Sequence, residues 1–319
     1  MNTIPLIFNQ REINRTVLGG KENPPFVALN VAVILLNRRG SQLRVPMIDS
    51  LAKCGFSSIV SIENNPDSYN IEDLSHKFPF VKFIIPLEKV TDGELINIGI
   101  SEVKAPYALV LRDNISFSSQ ILTPQLSENL VKDETFCVVP RLISESNPSF
   151  PVIFSPTVVN SVFKTESSAI VKDGEPTLYP FDYIGLYNRQ KFVLSGGYDY
   201  TITSSHWQNL DLSFRAWLWG EKFLLSTAFS LIYEGEPPVS DISADQSYTR
   251  FYLKNLLPRF YDDHAAIPRS SLFVYLSRSG AGFIESLNQF ADARYWVDKN
   301  KYRFRFDAKY LTENWGKIK

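Results

Sequence analysis

The sequence predicts an α/β protein built on an open, mixed and mostly parallel sheet flanked by helices, with a helical C-terminal extension. Three observations predict it. Apolar runs of strand length alternate with amphipathic helical stretches through residue 111, the pattern of a parallel sheet covered by helices. The first run, VAVILLN (31–37), is apolar almost throughout and β-branched at several positions, as a strand buried on both faces requires. Beyond residue 245 the pattern turns helical and aromatic, in QSYTRFYLKNLLPRF and SLFVYLSRSGAGFIESLNQFADARYWVDKN.

Taken in order, residues 1–26 form a polar arm with Gly19, Gly20, Pro24 and Pro25, expected to wrap on the surface. After the first strand, Ser41 is placed to cap a helix with Pro46 near its first turns and Leu43, Met47, Ile48 and Leu51 on one face. SSIVSIENN supplies a second strand ending on Glu63, and VKFIIP a third. DGELINIGISEVK is an amphipathic helix with Leu95, Ile96 and Ile100 inward, leading to the fourth strand, YALVL. Past FCVVP (136–140), residues 141–180 are rich in Ser, Pro and Thr and read as an insertion over the sheet, of the kind that carries function. Ser204 or Ser205 then caps a helix over 206–219, closed by Gly220. Trp207, Leu210, Phe214 and Trp217 make its core stripe, and Asp211 and Arg215 are four apart, able to pair. The glycines of LSRSGAGFIESLNQF fall inside a helical pattern and follow no strand, so a phosphate-binding loop is set aside. The domains expected are the arm 1–26, an α/β unit 27–244 with halves 27–120 and 121–244, and the extension 245–319.

The 319 residues are 44% hydrophobic, enough for a sizeable core. Lys and Arg number 33 against 34 acids, so no global field draws the chain to nucleic acid or to a membrane surface. Cys54 and Cys137 lie in apolar runs and read as buried thiols of a reducing compartment. The N-terminus lacks the basic start and apolar stretch of a signal peptide, and the most apolar window, VALNVAVILL, is half the length of a membrane span. A soluble, cytoplasmic protein with no transmembrane segment is expected.

Open parallel sheets bind ligands beyond the carboxyl ends of their strands. Three such ends are polar here: Asn37 with Arg38 and Arg39, Glu63 with Asn64, and Arg112 with Asp113 and Asn114. All three fall on the edge where a nucleotide would lie.

In this order the elements resemble the inverting nucleotide-sugar glycosyltransferases of the GT-A fold over roughly residues 31–260. VAVILLNRRGSQLRVPMIDSLAKCGF looks like the first strand and helix of that family, and SIVSIENN like the strand whose acid reads base or ribose. INIGISEVKAPYALVLRDNISFSSQIL looks like the helix with an inward Asn, here Asn97, leading to the strand that bears the D-x-D motif. LYNRQKFVLSGGYDYTITSSHWQNLDLSFRAWLWGEKFLLST looks like the acceptor-side motif, with its Gly-Gly-Phe-Asp and Glu-Asp-x-Asp-Leu. The resemblance implies a nucleotide-sugar donor held by Asn37, Arg38, Glu63, Asn97, Arg112, Asp113 and Asn114, and a glycan or lipid-linked acceptor.

The departures fall where the chemistry lies. The two D-x-D acids, which in the family hold a divalent metal and the ribose, are here Arg112 and Asn114. An amide oxygen is a poor ligand beside a carboxylate and a guanidinium repels a cation, so no metal cofactor is expected. Arg112 could instead grip the diphosphate. The Glu-Asp pair, whose Asp is the family's general base, is here Gln208 and Asn209, and an amide cannot take a proton. Catalytic candidates are Asn209 to orient an acceptor, and Glu234, Asp199 and Glu236 as alternative acids. Asn209→Asp is accordingly expected to raise any transfer rate. The choice lies between a metal-independent glycosyltransferase and a catalytically silent GT-A module binding a sugar nucleotide, a glycan or a partner transferase. A nucleotidyltransferase is the weaker third reading, since NRRGSQLR is a poor nucleotidyl loop.

Overall fold

The computed structural model describes residues 3–37, 44–63, 71–144, 150–160 and 162–318. Among them, nine strands form one mixed sheet in the order β1-β4-β3-β2-β5-β10-β7-β11-β6. Its parallel centre is β4 (Val81–Pro86), β3 (Phe56–Glu63), β2 (Leu29–Asn37) and β5 (Tyr107–Arg112), joined through helices α1 (Arg44–Ala52), α2 (Ile71–Lys77) and α3 (Asp92–Glu102). Residues 31–37 of β2 are buried at every position, as their unbroken apolar run requires.

The second half begins with the short β6 (Ile115–Ser116) and α4 (Pro124–Val131), followed by β7 (Cys137–Ile143). β10 (Gly185–Asn188) then inserts antiparallel between β5 and β7, and β11 (Phe223–Tyr233) lies parallel to β7 and antiparallel to β6. Between β10 and β11 run α5 (Arg189–Leu194) and α6 (Ser205–Leu218). α6 is buried from Trp207 to Leu218, with its polar residues inside as well as its apolar stripe. Ser204 precedes it without a side-chain cap bond, and Gly220, at φ +85°, takes the left-handed position after its end.

Three expectations are corrected. The arm is not wholly a surface wrap: its residues Arg15–Gly19 form β1, which pairs antiparallel with β4 and extends the sheet. The insertion is not irregular throughout, because β7 continues to Ile143 and β8 (Ile153–Val159) and β9 (Val162–Ser168) form a separate two-stranded hairpin. In the C-terminal region, α7 (Gln246–Phe251) runs into a π-helical turn, Tyr252–Leu256, followed by the hairpin β12 (Arg259–Tyr261) and β13 (His264–Ala266). Then come α8 (Ser271–Arg278), α9 (Phe283–Asn300) and α10 (Ala308–Glu313). Gly280 and Gly282 mark the break between α8 and α9 rather than lying inside one helix.

One contiguous core joins both halves of the sheet to α9 and α10, through Trp217, Trp296 and Leu311. Both cysteines are buried free thiols, and burial pushes Cys54 up to about 11. No helix among the described residues is long and apolar enough to cross a membrane.

Candidate functional site

The polar strand ends form a row because register makes them neighbours. Asn37 pairs with Glu63 across β2 and β3, and Leu36 with Arg112 across β2 and β5. The fully buried Glu63 accepts from Ser61 Oγ at 2.9 Å and from Asn37 Nδ2 at 3.3 Å. The amide of Asp113 donates to Leu36 O at 3.1 Å, which leaves the carboxyl half-exposed beside the row. Arg38, Arg39 and Asn64 lie outside the described residues.

Arg112 does not offer a bare cation to this edge. It is 1% exposed, with Nη2 at 2.9 Å from Asp92 Oδ2 and 3.0 Å from Asp182 Oδ1. Nε donates to Asp182 O at 3.3 Å, and the guanidinium lies over the Tyr183 ring. Burial disfavours its charge, but Asp182 and then Asp92 outweigh burial and raise its pKa above the ordinary arginine value. Two carboxylates already hold the arginine expected to grip the diphosphate. Asp182 and Tyr183 carry φ of +48° and +65°. Two successive non-glycine residues in the left-handed region are strained, which aims attention at what they present.

Asn114 donates to Glu234 O at 3.2 Å, and Glu234 N returns to Asn114 O at 2.8 Å, so β6 and the end of β11 are tied together. The carboxyls of Glu234 and Glu236 are exposed. A divalent cation at this strand end would need a cage of hard oxygen ligands. Here the first D-x-D position is a neutralised guanidinium and the last an amide bound to backbone. Among the described residues no group of three or more His, Cys, Asp or Glu side chains could hold a metal. The described residues of this strand end do not offer the oxygen cage such a cation takes.

The acceptor-side candidates divide. Asn97 is committed to the glycine turn: its Nδ2 donates to Tyr198 O and its Oδ1 accepts from Tyr198 N, both at 2.9 Å. It anchors the Gly196–Asp199 turn rather than reaching toward the strand-end row. Asp199 sits in a buried ion pair. It is buried, accepts from Thr201 and lies 2.8 Å from Lys254 Nζ, which also meets Asp211 at 2.8 Å. Burial favours its neutral form, but the Lys254 charge outweighs it and holds the carboxyl below the usual range. Asp211 does pair with Arg215, at 3.5 Å, but Lys254 and Asn255 are its closer partners. Gln208 clasps the start of α3, accepting from Gly93 N at 2.9 Å and donating to Thr91 Oγ1 at 2.8 Å.

Asn209 does face a cleft. A cavity of about 320 Å³ opens where α6 begins, lined by Asn209, Asp182, Tyr183 and His206, by the rings of Tyr179 and Phe181, and by Pro238–Asp241. The amide is anchored, with Nδ2 donating to Pro180 O at 2.7 Å and Oδ1 3.5 Å from the Tyr198 hydroxyl. His206 is the residue that sequence reasoning missed, and its signal was its place one helical turn before Asn209. Its ring packs edge-on against Tyr179 at 6.0 Å and Trp207 at 4.7 Å. Burial lowers its pKa to about 4, with Asp241 opposing part of the fall. At neutral pH it is an uncharged imidazole, and the lowered pKa makes it a weak proton acceptor.

No family model matches the chain, and no curated protein matches it. Among solved structures it is similar to GalNAc-T7 crystallised with UDP, GalNAc and Mn2+, at TM-score 0.60 and 16% identity over 91% of this chain and 57% of that one. It is also similar to TarS of S. aureus, at TM-score 0.50 and 10% identity over 88% of this chain and 44% of that one. The 1–349 portion of TarS in complex with UDP-GlcNAc gives the same score and identity over 85% and 72%. The chain thus spans little more than half the length of the first of these. At such identities the likeness speaks for architecture, and the architecture is the GT-A fold of nucleotide-sugar glycosyltransferases.

Proposed function

We propose that the protein is a metal-independent glycosyltransferase. It takes a nucleotide sugar at the row Asn37–Glu63–Asp113 and an acceptor hydroxyl in the cavity before α6. The observation that carries this reading is the double role of Asp182, which meets Arg112 at the donor edge and lines the cavity with Asn209 and His206. Donor and acceptor spaces therefore share a wall, as direct transfer between them demands. In the step, the acceptor oxygen attacks the anomeric carbon while its proton passes to a ring nitrogen of His206. The bond to the diphosphate oxygen breaks, and its electron pair leaves with the diphosphate. Asn209 orients the hydroxyl. With Arg112 already matched by two carboxylates, the cations to meet the diphosphate are Arg38 and Arg39, which follow Asn37 in the sequence.

The anchored amide at the base position favours a second reading, a silent module that binds the donor without transferring it. A thermal-shift panel of nucleotide sugars, with manganese and with chelator, tests both, since stabilisation grows with ligand concentration over dissociation constant. Stabilisation by a donor, unchanged by chelator, is expected. Sugar released or transferred from that donor separates the enzyme from the module. A shift seen only with manganese would overturn metal independence.

A further inference from the structure

Helices α8 and α9 leave bulky apolar side chains in water around the turn that joins them. Packing sets the inner faces of both helices: the Tyr275 ring stacks on Phe290 at 6.1 Å and its hydroxyl donates to Gln289, while Ser286, Phe290, Ala293 and Val297 of α9 are buried. Phe273 lies two residues from Tyr275, about 200° round α8, and so points away from that core. It is 76% exposed, and Phe283 and Ile284 at the start of α9 are 67% and 74% exposed. Ile284, Asn288, Ala291 and Tyr295, at steps of four, three and four, make the outer face of α9, and none is an acid. Beside them a groove of about 430 Å³ between the start of α8 and α9 is lined by Leu272, Leu287, Phe290 and Ala291 with Arg269 and Arg294. Neither arginine has an ion pair among the described residues, whereas nearby Arg250 and Lys301 meet Asp292 and Asp298. Between Asp263 and Glu285 the chain carries Arg269 and Arg278 and no acid.

We propose that this surface seats the protein on an anionic lipid bilayer, with Phe273, Phe283 and Ile284 entering the headgroup layer and Arg269 and Arg294 meeting lipid phosphates. Charge complementarity selects the occupant. Helices that lie in a membrane interface set apolar side chains beside basic ones. An anionic leaflet attracts basic residues only within about a Debye length, so a local pair of arginines suffices in a chain whose net charge is −1. The three exposed apolar side chains have no cover in the fold, and each gains by leaving water. They project singly from helix ends, so a fluid headgroup layer closes round each, where a folded partner would need a matching pocket for every one. The groove shares no residue with the His206 cavity, and the proposal stands independently of the transfer reading.

The test is sedimentation of the full chain with vesicles of phosphatidylcholine alone and of phosphatidylcholine mixed with phosphatidylglycerol. Binding is expected to the mixed vesicles and not to the neutral ones, and it should weaken as salt rises. Arg269→Gln with Arg294→Gln should lower affinity for the mixed vesicles about 20-fold, at about fivefold for each basic residue near an anionic surface. Phe273→Ser with Ile284→Ser should lower it by about tenfold or more and leave the core untouched, since both side chains stand largely in water. Neither pair should change the thermal shift given by a nucleotide sugar. Absence of binding to the mixed vesicles, equal binding to the neutral ones, or indifference to both pairs of substitutions would overturn the proposal. So would self-association in solution that Phe273→Ser with Ile284→Ser abolishes, because the surface would then be an interface between copies of the chain. Vesicle binding that both pairs weaken, in a protein that no nucleotide sugar stabilises, would keep the membrane seat and sink the transfer reading instead.

Discussion

Arg112 Nη2 lies 3.0 Å from Asp182 Oδ1, so a cation at the end of β5 is bound to a carboxylate 70 residues further along the chain. With Asp92 the cluster carries one positive and two negative groups, all largely out of water. Removing one partner from such a group leaves an uncompensated buried charge, which costs about 3–5 kcal/mol. Arg112→Gln is therefore expected to lower unfolding free energy by that order, read by urea denaturation. Arg112→Glu, placing a third carboxylate beside Asp92 and Asp182, should fail to fold. If Arg112→Gln is as stable as the wild type and only donor affinity falls, the guanidinium belongs to the ligand and not to the scaffold.

A second charge cluster behaves likewise. Lys254, set in the π-helical turn, bridges Asp199 and Asp211 beneath the Trp296 ring. Lys254→Met strands two carboxylates and is expected to cost about 3–5 kcal/mol. The pH dependence follows from Asp199, whose folded pKa lies below its unfolded value of about 4. Its stabilisation is complete above the unfolded pKa and is lost as pH falls through the lower folded one. Asp199→Asn should remove that part of the acid sensitivity. Transfer activity that survives in Asp199→Asn, after correction for folded fraction, would agree with its structural place; loss of activity in fully folded Asp199→Asn would return it to the chemistry.

Strand–helix alternation made the parallel centre legible, because each unit there is closed by neighbours in sequence. The row Asn37–Glu63–Arg112 was legible for the same reason: each is the last residue of a strand whose length the apolar run sets. What the sequence hid depends on distant partners. β1 is five residues ending in glycine, and only its pairing with β4 makes it a strand. Nothing in FDYIG announces that Asp182 turns left-handed to meet Arg112. Asp199 looked available because Lys254, 55 residues on, carries no local sign of its role.

His206 gives the third prediction. An unfolded histidine titrates near 6.5, and the folded one near 4. Between those values the unfolded chain binds more protons, so stability rises with pH across the window and is lost on acidification from about 6.5 toward 4. The contribution is at most about 3 kcal/mol. His206→Gln should flatten that part of the stability profile and, if the imidazole is the proton acceptor, lower transfer by about 10²–10⁴ with donor binding intact. An unchanged transfer rate in folded His206→Gln would remove it from the reaction.

The last prediction reverses the expectation drawn from the motif alone. By analogy with the Glu-Asp motif, Asn209→Asp restores a base and speeds transfer. The geometry opposes this. Asn209 Nδ2 donates to Pro180 O at 2.7 Å, and a carboxylate oxygen in its place would face a carbonyl with no proton between them. Two buried acceptors in contact cost about 1–3 kcal/mol. The variant escapes that cost by keeping its carboxyl protonated, so that the new O–H donates to Pro180 O. In that form it cannot act as a base, and Tyr198 OH, 3.5 Å from Oδ1 and 3.1 Å from Tyr187 OH, offers no positive charge to counter it. Asn209→Asp should thus show no gain in transfer at neutral pH, together with a lower melting temperature that falls further as pH rises and the carboxyl is forced to ionise. A faster enzyme at neutral pH with undiminished stability would mean that the residue 209 side chain is free of Pro180 in the working protein, and that the motif had predicted better than the fold.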